Sequence, residues 1–196
     1  MTTRTNYSRE ITPKLGGKNV TVCGWVQDTR VLGNLIFINI RDRYGFAQAT
    51  LAKKTITPEL FSIARNLGKE DVIAVSGKVK PSEQAPNGAE IIPEKIELLS
   101  KAGVPLPLDV SGKIESELDT RLNARFMDLR IPRNRAIFVI RSHLVNSLHE
   151  AMDKEGFIQV QTPKIVKAGA ESGATLFKIN FFGQEAFLSQ SPQLYK

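Results

Sequence analysis

The chain has a single cysteine, Cys23, so a disulfide framework or a cysteine-rich zinc site cannot form within it. Cys23 lies between Val22 and Gly24 in a β-like run, which predicts a buried strand thiol rather than a nucleophile. Behind Met1 there is no apolar core of the kind a signal peptide needs, and no apolar stretch approaches the length of a membrane span. Internal repeats and low-complexity tracts are also missing. These absences predict a cytoplasmic protein with no membrane partner. What is present is ordinary for a globular chain: 41% apolar and 24% charged residues. Its 196 residues suffice for one domain, or for a small domain and part of a second. The net charge of +7 leans towards an anionic partner, because nucleic-acid binding draws affinity from Lys and Arg at phosphates. A basic enzyme has the same composition, so charge alone does not choose.

From Lys18 to Ser100 the pattern is one of short strands. Asn19–Val26 alternates and is rich in β-branched residues, and Leu35–Ile40 and Phe46–Leu51 are a second and a third run. A helix signal follows: Thr57 as N-cap, Pro58 in the first turn, apolar Leu60, Phe61, Ile63 and Ala64, and Gly68 as the stop. Two more strand runs, Asp71–Val79 and Glu90–Leu99, close the region. Three strands, a helix and two strands is the order of an OB-fold, a five-stranded Greek-key barrel. An SH3-like barrel, the main competitor, does not ordinarily place a helix there. The reading is therefore an OB domain over residues 1–102. Residues 103–117, with prolines, glycines and little periodicity, read as a hinge.

Residues 118–196 read as a second, α+β region. Ile137, Ile140, Leu144, Leu148 and Ala151 recur at three- and four-residue spacing, predicting a helix with one buried stripe. Gly156 stands where such a helix should stop. Phe157–Val160 then resembles a short strand, the small residues Ala168–Thr175 a loop, and Ile179–Leu188 a hairpin turning at Gly183.

Two groups of residues could carry chemistry. OB barrels bind single strands on the face of strands two and three, with aromatic platforms for stacking. Phe37 is flanked in that region by Arg30 and Arg41, and Gln48 lies in the third strand run. A strand phenylalanine is by itself more often core than platform. Trp25 is assigned to barrel packing. The second group is the heptad Gln190-Ser191-Pro192-Gln193-Leu194-Tyr195-Lys196, where an ammonium beside amides suits an acidic small ligand through charge-assisted hydrogen bonds.

The segment G-F-x-x-V-x-x-P at Gly156–Pro163, the heptad QSPQLYK, and the run from Leu118 to Arg130 together resemble the class IIb aminoacyl-tRNA synthetases. Among these, the aspartyl-tRNA synthetases are the most similar, and the resemblance runs through essentially the whole chain in the family's order. It implies an OB-fold followed by the start of a class II catalytic domain built on antiparallel sheet. Gly156–Pro163 resembles motif 1, which implies a homodimer interface at Gly156 and Pro163. QSPQLYK and the preceding loop imply an aspartate pocket of Glu171, Ser191, Gln193 and Lys196, with Lys196 facing the substrate carboxylate. On the barrel the resemblance implies anticodon contacts from Arg30, Phe37, Gln48 and Glu90. Gln27 and Pro86 correspond to positions that set tRNA choice, and a proline at the latter leans towards enzymes that serve both tRNA(Asp) and tRNA(Asn).

Enzymes of the family join L-aspartate to tRNA using ATP and Mg²⁺. Their nucleotide-binding and metal-binding residues, in motifs 2 and 3, follow the QSPQLYK segment, so none of the catalytic residues is expected within this chain. By itself it is expected not to form the adenylate. Two alternatives stay open: a stand-alone tRNA-binding OB module, and an asparaginyl-tRNA synthetase-like paralogue, which Lys196 disfavours.

Overall fold

The computed structural model describes residues 2–167, 175–193 and 195–196. The chain forms two compact units, Met1–Arg135 and Ala136–Lys196. Five strands close the first into a barrel: β1 (Asn19–Leu32), β2 (Leu35–Asp42), β3 (Gly45–Ala52), β4 (Val72–Pro81) and β5 (Ala89–Ser100), in the spatial order β1-β2-β3-β5-β4. The β3–β5 closure is parallel and the other pairings are antiparallel. This is the OB-fold expected from the order of elements. Helix α1 (Pro58–Arg65) sits between β3 and β4, with the Thr57 hydroxyl accepting from the Leu60 amide at 3.3 Å. Asn66, rather than Gly68, caps its C-terminus; the Gly68 amide instead donates to Asp71 at 2.7 Å.

Alternation divides each strand between two faces. Val20, Val22, Val26, Ile36, Ile38, Ile40, Ala47, Ala49, Leu51, Ile73, Val75 and Ile91 fill the barrel, while their neighbours point outwards. Cys23 falls on the outer side and is half-buried, not core. Burial still pushes its thiol pKa up, with nearby Arg4 opposing and Glu97 adding to the rise. Trp25 also lies outside the core. It is half-buried, with the guanidinium carbons of Arg130 and Arg41 at 4.8 and 5.9 Å from its ring. Alternation from Val22 and Val26 puts both residues on the outer face, whatever their type favours.

The segment read as a hinge has a small core of its own. Leu108 and Val110 pack with Ala124 and Met127, flanked by Leu106 and Ile131. Of its second half, Ala124 lies at the junction of the short helices α2 (Leu118–Asn123) and α3 (Arg125–Asp128), and Met127 lies in α3. Asp128 ties them together, accepting from Arg121 Nε at 2.8 Å and Asn134 Nδ2 at 2.7 Å.

Helix α4 (Pro132–Lys154) ends in a Schellman motif. Gly156, at φ +81°, donates to the Asp153 carbonyl at 3.0 Å, and the Phe157 amide donates to Met152 at 3.0 Å. The expected buried stripe is not buried: no residue of α4 is, and Leu144 is 68% exposed. The periodicity marks an apolar face correctly, but no described element of the chain covers it. Phe157–Val160 is irregular chain rather than a strand. The sheet of the second unit instead has the order β6-β8-β7, from β6 (Ile165–Val166), β7 (Lys178–Phe181) and β8 (Gln184–Leu188). The β7–β8 turn has Phe182 and Gly183 at φ +51° and +80°, the pattern of a two-residue hairpin turn.

Candidate nucleic-acid interface

Register brings the expected barrel residues onto one outer face. Arg30 pairs with Phe37 across β1 and β2, Phe37 with Thr50 across β2 and β3, and Gln48 with Glu90 across β3 and β5. Because cross-strand partners point the same way, Arg30, Phe37, Gln48 and Glu90 share a surface. Phe37 stands between core residues Ile36 and Ile38, so its ring faces outwards and is half-buried. It therefore lies on the outer face rather than in the core.

Gln48 and Glu90 form the buried, polar part of this face. The Gln48 Nε2 donates to Glu90 Oε2 and to Thr50 Oγ1, both at 3.3 Å, and Thr50 Oγ1 donates to Glu90 Oε2 at 2.6 Å. Lys80 Nζ lies 3.8 Å from Glu90 Oε1 and keeps the carboxylate accompanied. The Gln48 amide is thus oriented through its NH₂ group. At the β1 side, Asn39 Nδ2 donates to both oxygens of Asp28, at 3.0 and 3.1 Å, while Arg30 Nε approaches Asp28 at 3.7 Å. Asn39 Oδ1 is buried without a hydrogen-bond partner, a costly acceptor to leave unmet.

Thr50, Asn39, Asp28 and Lys80 were not singled out from sequence. Two-residue alternation from Phe37 and Gln48 would have found Asn39 and Thr50. Asp28 and Lys80 required the cross-strand register.

Gln27 and Pro86 take separate places in the barrel. Gln27 sits at the β1 bulge, where its Oε1 accepts from Arg41 Nη1. Arg41 also donates to Glu70 Oε1 at 2.6 Å, and Arg130 donates to Glu70 Oε2. Gln27 is thereby attached to an ionic triad, Arg41–Glu70–Arg130, in which Arg41 and Glu70 are buried and Arg130 is half-buried beside Trp25. Pro86 opens the short turn Pro86–Gly88, in which Asn87 at φ +60° donates to the Ser8 and Phe46 carbonyls at 3.1 and 3.0 Å.

In the second unit, the expected aspartate-pocket residues are only partly gathered. Ser191 Oγ accepts from the Gln193 amide at 3.3 Å, so those two share one turn directly after β8. Lys196 is exposed, and Glu171 lies outside the described residues. Pro163 is exposed as well, and Gly156 serves the α4 cap already described. No group of three or more His, Cys, Asp or Glu among the described residues could hold a metal ion.

Residues 20–99 match the OB-fold nucleic acid binding domain of the tRNA anticodon type, and residues 117–196 match the class II tRNA synthetases for D, K and N. The chain is 50% identical over 193 residues to the aspartate–tRNA(Asp/Asn) ligase of Methanococcus maripaludis, covering 98% of this chain and 44% of the relative. It is 53% identical over 193 residues to the aspartate–tRNA(Asp) ligase of Pyrococcus abyssi, with the same coverages. Among solved structures it is similar to asparaginyl-tRNA synthetase from Pyrococcus horikoshii complexed with asparaginyl-adenylate, at 36% identity and a TM-score of 0.86, covering 100% of this chain and 44% of that one. The chain thus spans less than half the length of the relatives it matches. With an anticodon-type OB-fold match leading into a synthetase match, residues 117–196 of this chain belong to the class II tRNA synthetase family of the D, K and N type.

Proposed function

We propose that this chain provides the anticodon-reading barrel and part of the amino-acid pocket of a cytoplasmic aspartate–tRNA ligase. The ligase activates L-aspartate with ATP and Mg²⁺ and transfers it to tRNA(Asp). The observation that carries the reading is the single outer face holding Arg30, Phe37, Gln48 and Glu90. Phe37 offers a half-buried ring on which a base stacks, and the Gln48 amide, fixed by Glu90 and Thr50, reads a base edge. Lys196, with Ser191, Gln193 and Glu171, takes the aspartate. An ammonium favours a carboxylate side chain over the neutral amide of asparagine. Curated relatives at 50% and 53% identity are aspartate–tRNA ligases, which supports the same choice.

Relatives named for both tRNA(Asp) and tRNA(Asn) and relatives named for tRNA(Asp) alone match to similar extents. Of the two positions that set tRNA choice, Gln27 and Pro86, the proline favours service to both tRNAs. Failure of the complete ligase to aspartylate a tRNA with the asparagine anticodon would exclude that. The barrel reading is tested by binding of the chain to a labelled aspartate anticodon stem-loop and to one with the central uridine changed. Tight, salt-sensitive binding lost on the base change is expected; equal affinity for both would reject base reading by this face.

A further inference from the structure

The β2–β3 turn carries a cluster of cations that the base-reading face does not use. Tyr7 and Tyr44 meet edge to face with ring centroids 4.7 Å apart. Around them stand exposed arginines: Arg4 at 4.6 Å from the Tyr7 ring, and Arg9 and Arg43 at 4.0 and 5.0 Å from the same Tyr44 ring. Arg135, also exposed, donates to the Arg43 carbonyl at 3.0 Å and adds a fourth guanidinium.

The neighbouring carboxylates are committed elsewhere. Asp42 is buried and accepts from the Ser8 amide and hydroxyl at 2.6 and 2.7 Å and from the Tyr44 amide at 2.8 Å. Glu10 accepts from the Tyr7 amide at 2.7 Å. Among the described residues, none of these arginines forms an ion pair with a carboxylate. Two like charges sharing one aromatic ring repel each other, and an exposed cation–π contact returns only about 0.5–1 kcal/mol. Such a cluster is suited to an anion bridging its members, and guanidinium forks match phosphate geometry.

Its position selects the anion. Tyr44 lies four residues before Gln48 at the start of the same β-hairpin arm, and Asn87 ties the Pro86 turn to both Ser8 and Phe46. We propose that Arg4, Arg9 and Arg43, braced by Tyr7 and Tyr44, form a phosphate-backbone site for the RNA strand that continues past the Gln48–Glu90 face. This rests on the tRNA-binding reading given above. The site is blind to sequence: it adds affinity and register, and leaves base choice to Phe37 and Gln48.

The test uses the whole chain, the aspartate anticodon stem-loop, the central-base variant and an unrelated hairpin, titrated across salt concentrations. Each neutralised phosphate contributes about 0.7–0.9 to the slope of log affinity against log salt. The substitutions Arg4→Gln, Arg9→Gln and Arg43→Gln together should make that slope shallower by about 2 to 3. They should weaken all RNAs by the same factor, leaving the ratio between cognate and changed loops intact. Arg9→Lys with Arg43→Lys should restore most of the slope, and Gln48→Ala should do the reverse, removing the ratio while keeping the slope. An unchanged slope in the glutamine variant overturns the phosphate site and leaves anticodon reading standing. Lost discrimination in that variant assigns the arginines to base reading and also overturns it. If the wild-type chain binds none of the RNAs, both readings fall; capture of an acidic protein by the same arginines would then be the surviving use of the patch.

Discussion

At the scale of single residues, strand alternation separates side chains that fill the barrel from those on its outer face. Phe37 is half-buried between core positions and makes no part of the barrel interior. Phe37→Ala should therefore cost roughly 1–3 kcal/mol of stem-loop binding, about 5- to 150-fold in Kd, with little change in the unfolding midpoint. A fall in stability as large as the fall in binding would make the ring structural. The buried acids report on pH. Burial alone would raise the Asp71 pKa, but the Ala102 amide, the Lys101 ammonium and the Gly68 amide overcome it and hold the carboxyl below its usual range. Asp128 is lowered chiefly by Arg121. A carboxyl whose folded pKa is depressed gives stability above its unfolded value of about 3.9, and that stability is lost as pH falls through the folded value. Chemical denaturation should show a midpoint that is flat from about pH 5 upwards with respect to these groups and falls in more acid solution. Asp71→Asn should lower the neutral plateau and make the acid limb shallower; an unaltered limb would show that Asp71 has no part in it. The outward placement of Phe37 follows from the alternation of its strand, but a strand phenylalanine by itself reads as core, and only the family resemblance singled out Phe37 and Gln48 for the outer face. The Arg41–Glu70–Arg130 triad was not legible in the sequence, since its members are brought together only by folding, across separations of 29 and 60 residues.

Among elements, the barrel was readable because each strand carries its own alternation and each turn its own chemistry. The exceptions lie where two strands approach more closely than a side chain allows. Gly77, at the register shift between β4 and β5, faces the Ile92 carbonyl oxygen at 2.1 Å from where a Cβ would stand. Gly24 meets the Arg41 carbonyl oxygen in the same way at 2.4 Å. Neither neighbour is a flexible side-chain end, so an added methyl must displace backbone. Gly77→Ala should destabilise the chain by roughly 1–3 kcal/mol, the usual cost of overpacking, measured by denaturant midpoint at unchanged m-value. Retention of wild-type stability would mean that the bulge opens freely. The sequence showed glycine inside a strand run, but not that a second strand crosses it. The hinge was under-read for a related reason. Leu106, Leu108 and Val110 have no period of their own and become a core only against Ala124, Met127 and Ile131, which lie further along the chain.

For the molecule as a whole, the second unit presents more apolar surface than a monomer ordinarily leaves open. Along α4, Ile137, Ile140, Leu144 and Leu148 are each at least half exposed, and Phe157, Ile158 and Val160 extend the surface beyond the Gly156 cap. A helix with three- and four-residue apolar spacing and no buried residue has specified a face without supplying its cover. We propose, from the resemblance of Gly156–Pro163 to motif 1, that a second copy of the chain covers this face, and a two-fold interface would place the same stripe on both sides. We expect sedimentation to show a concentration-dependent dimer, and unfolding midpoints to rise with protein concentration, because association stabilises only the folded form. Leu144→Glu combined with Ile140→Glu should abolish both effects while leaving stem-loop binding by the barrel intact, since the two residues belong to the other compact unit. A chain that stays monomeric at all concentrations, with the double variant unchanged from it, would require that α4 be covered by a different protein surface.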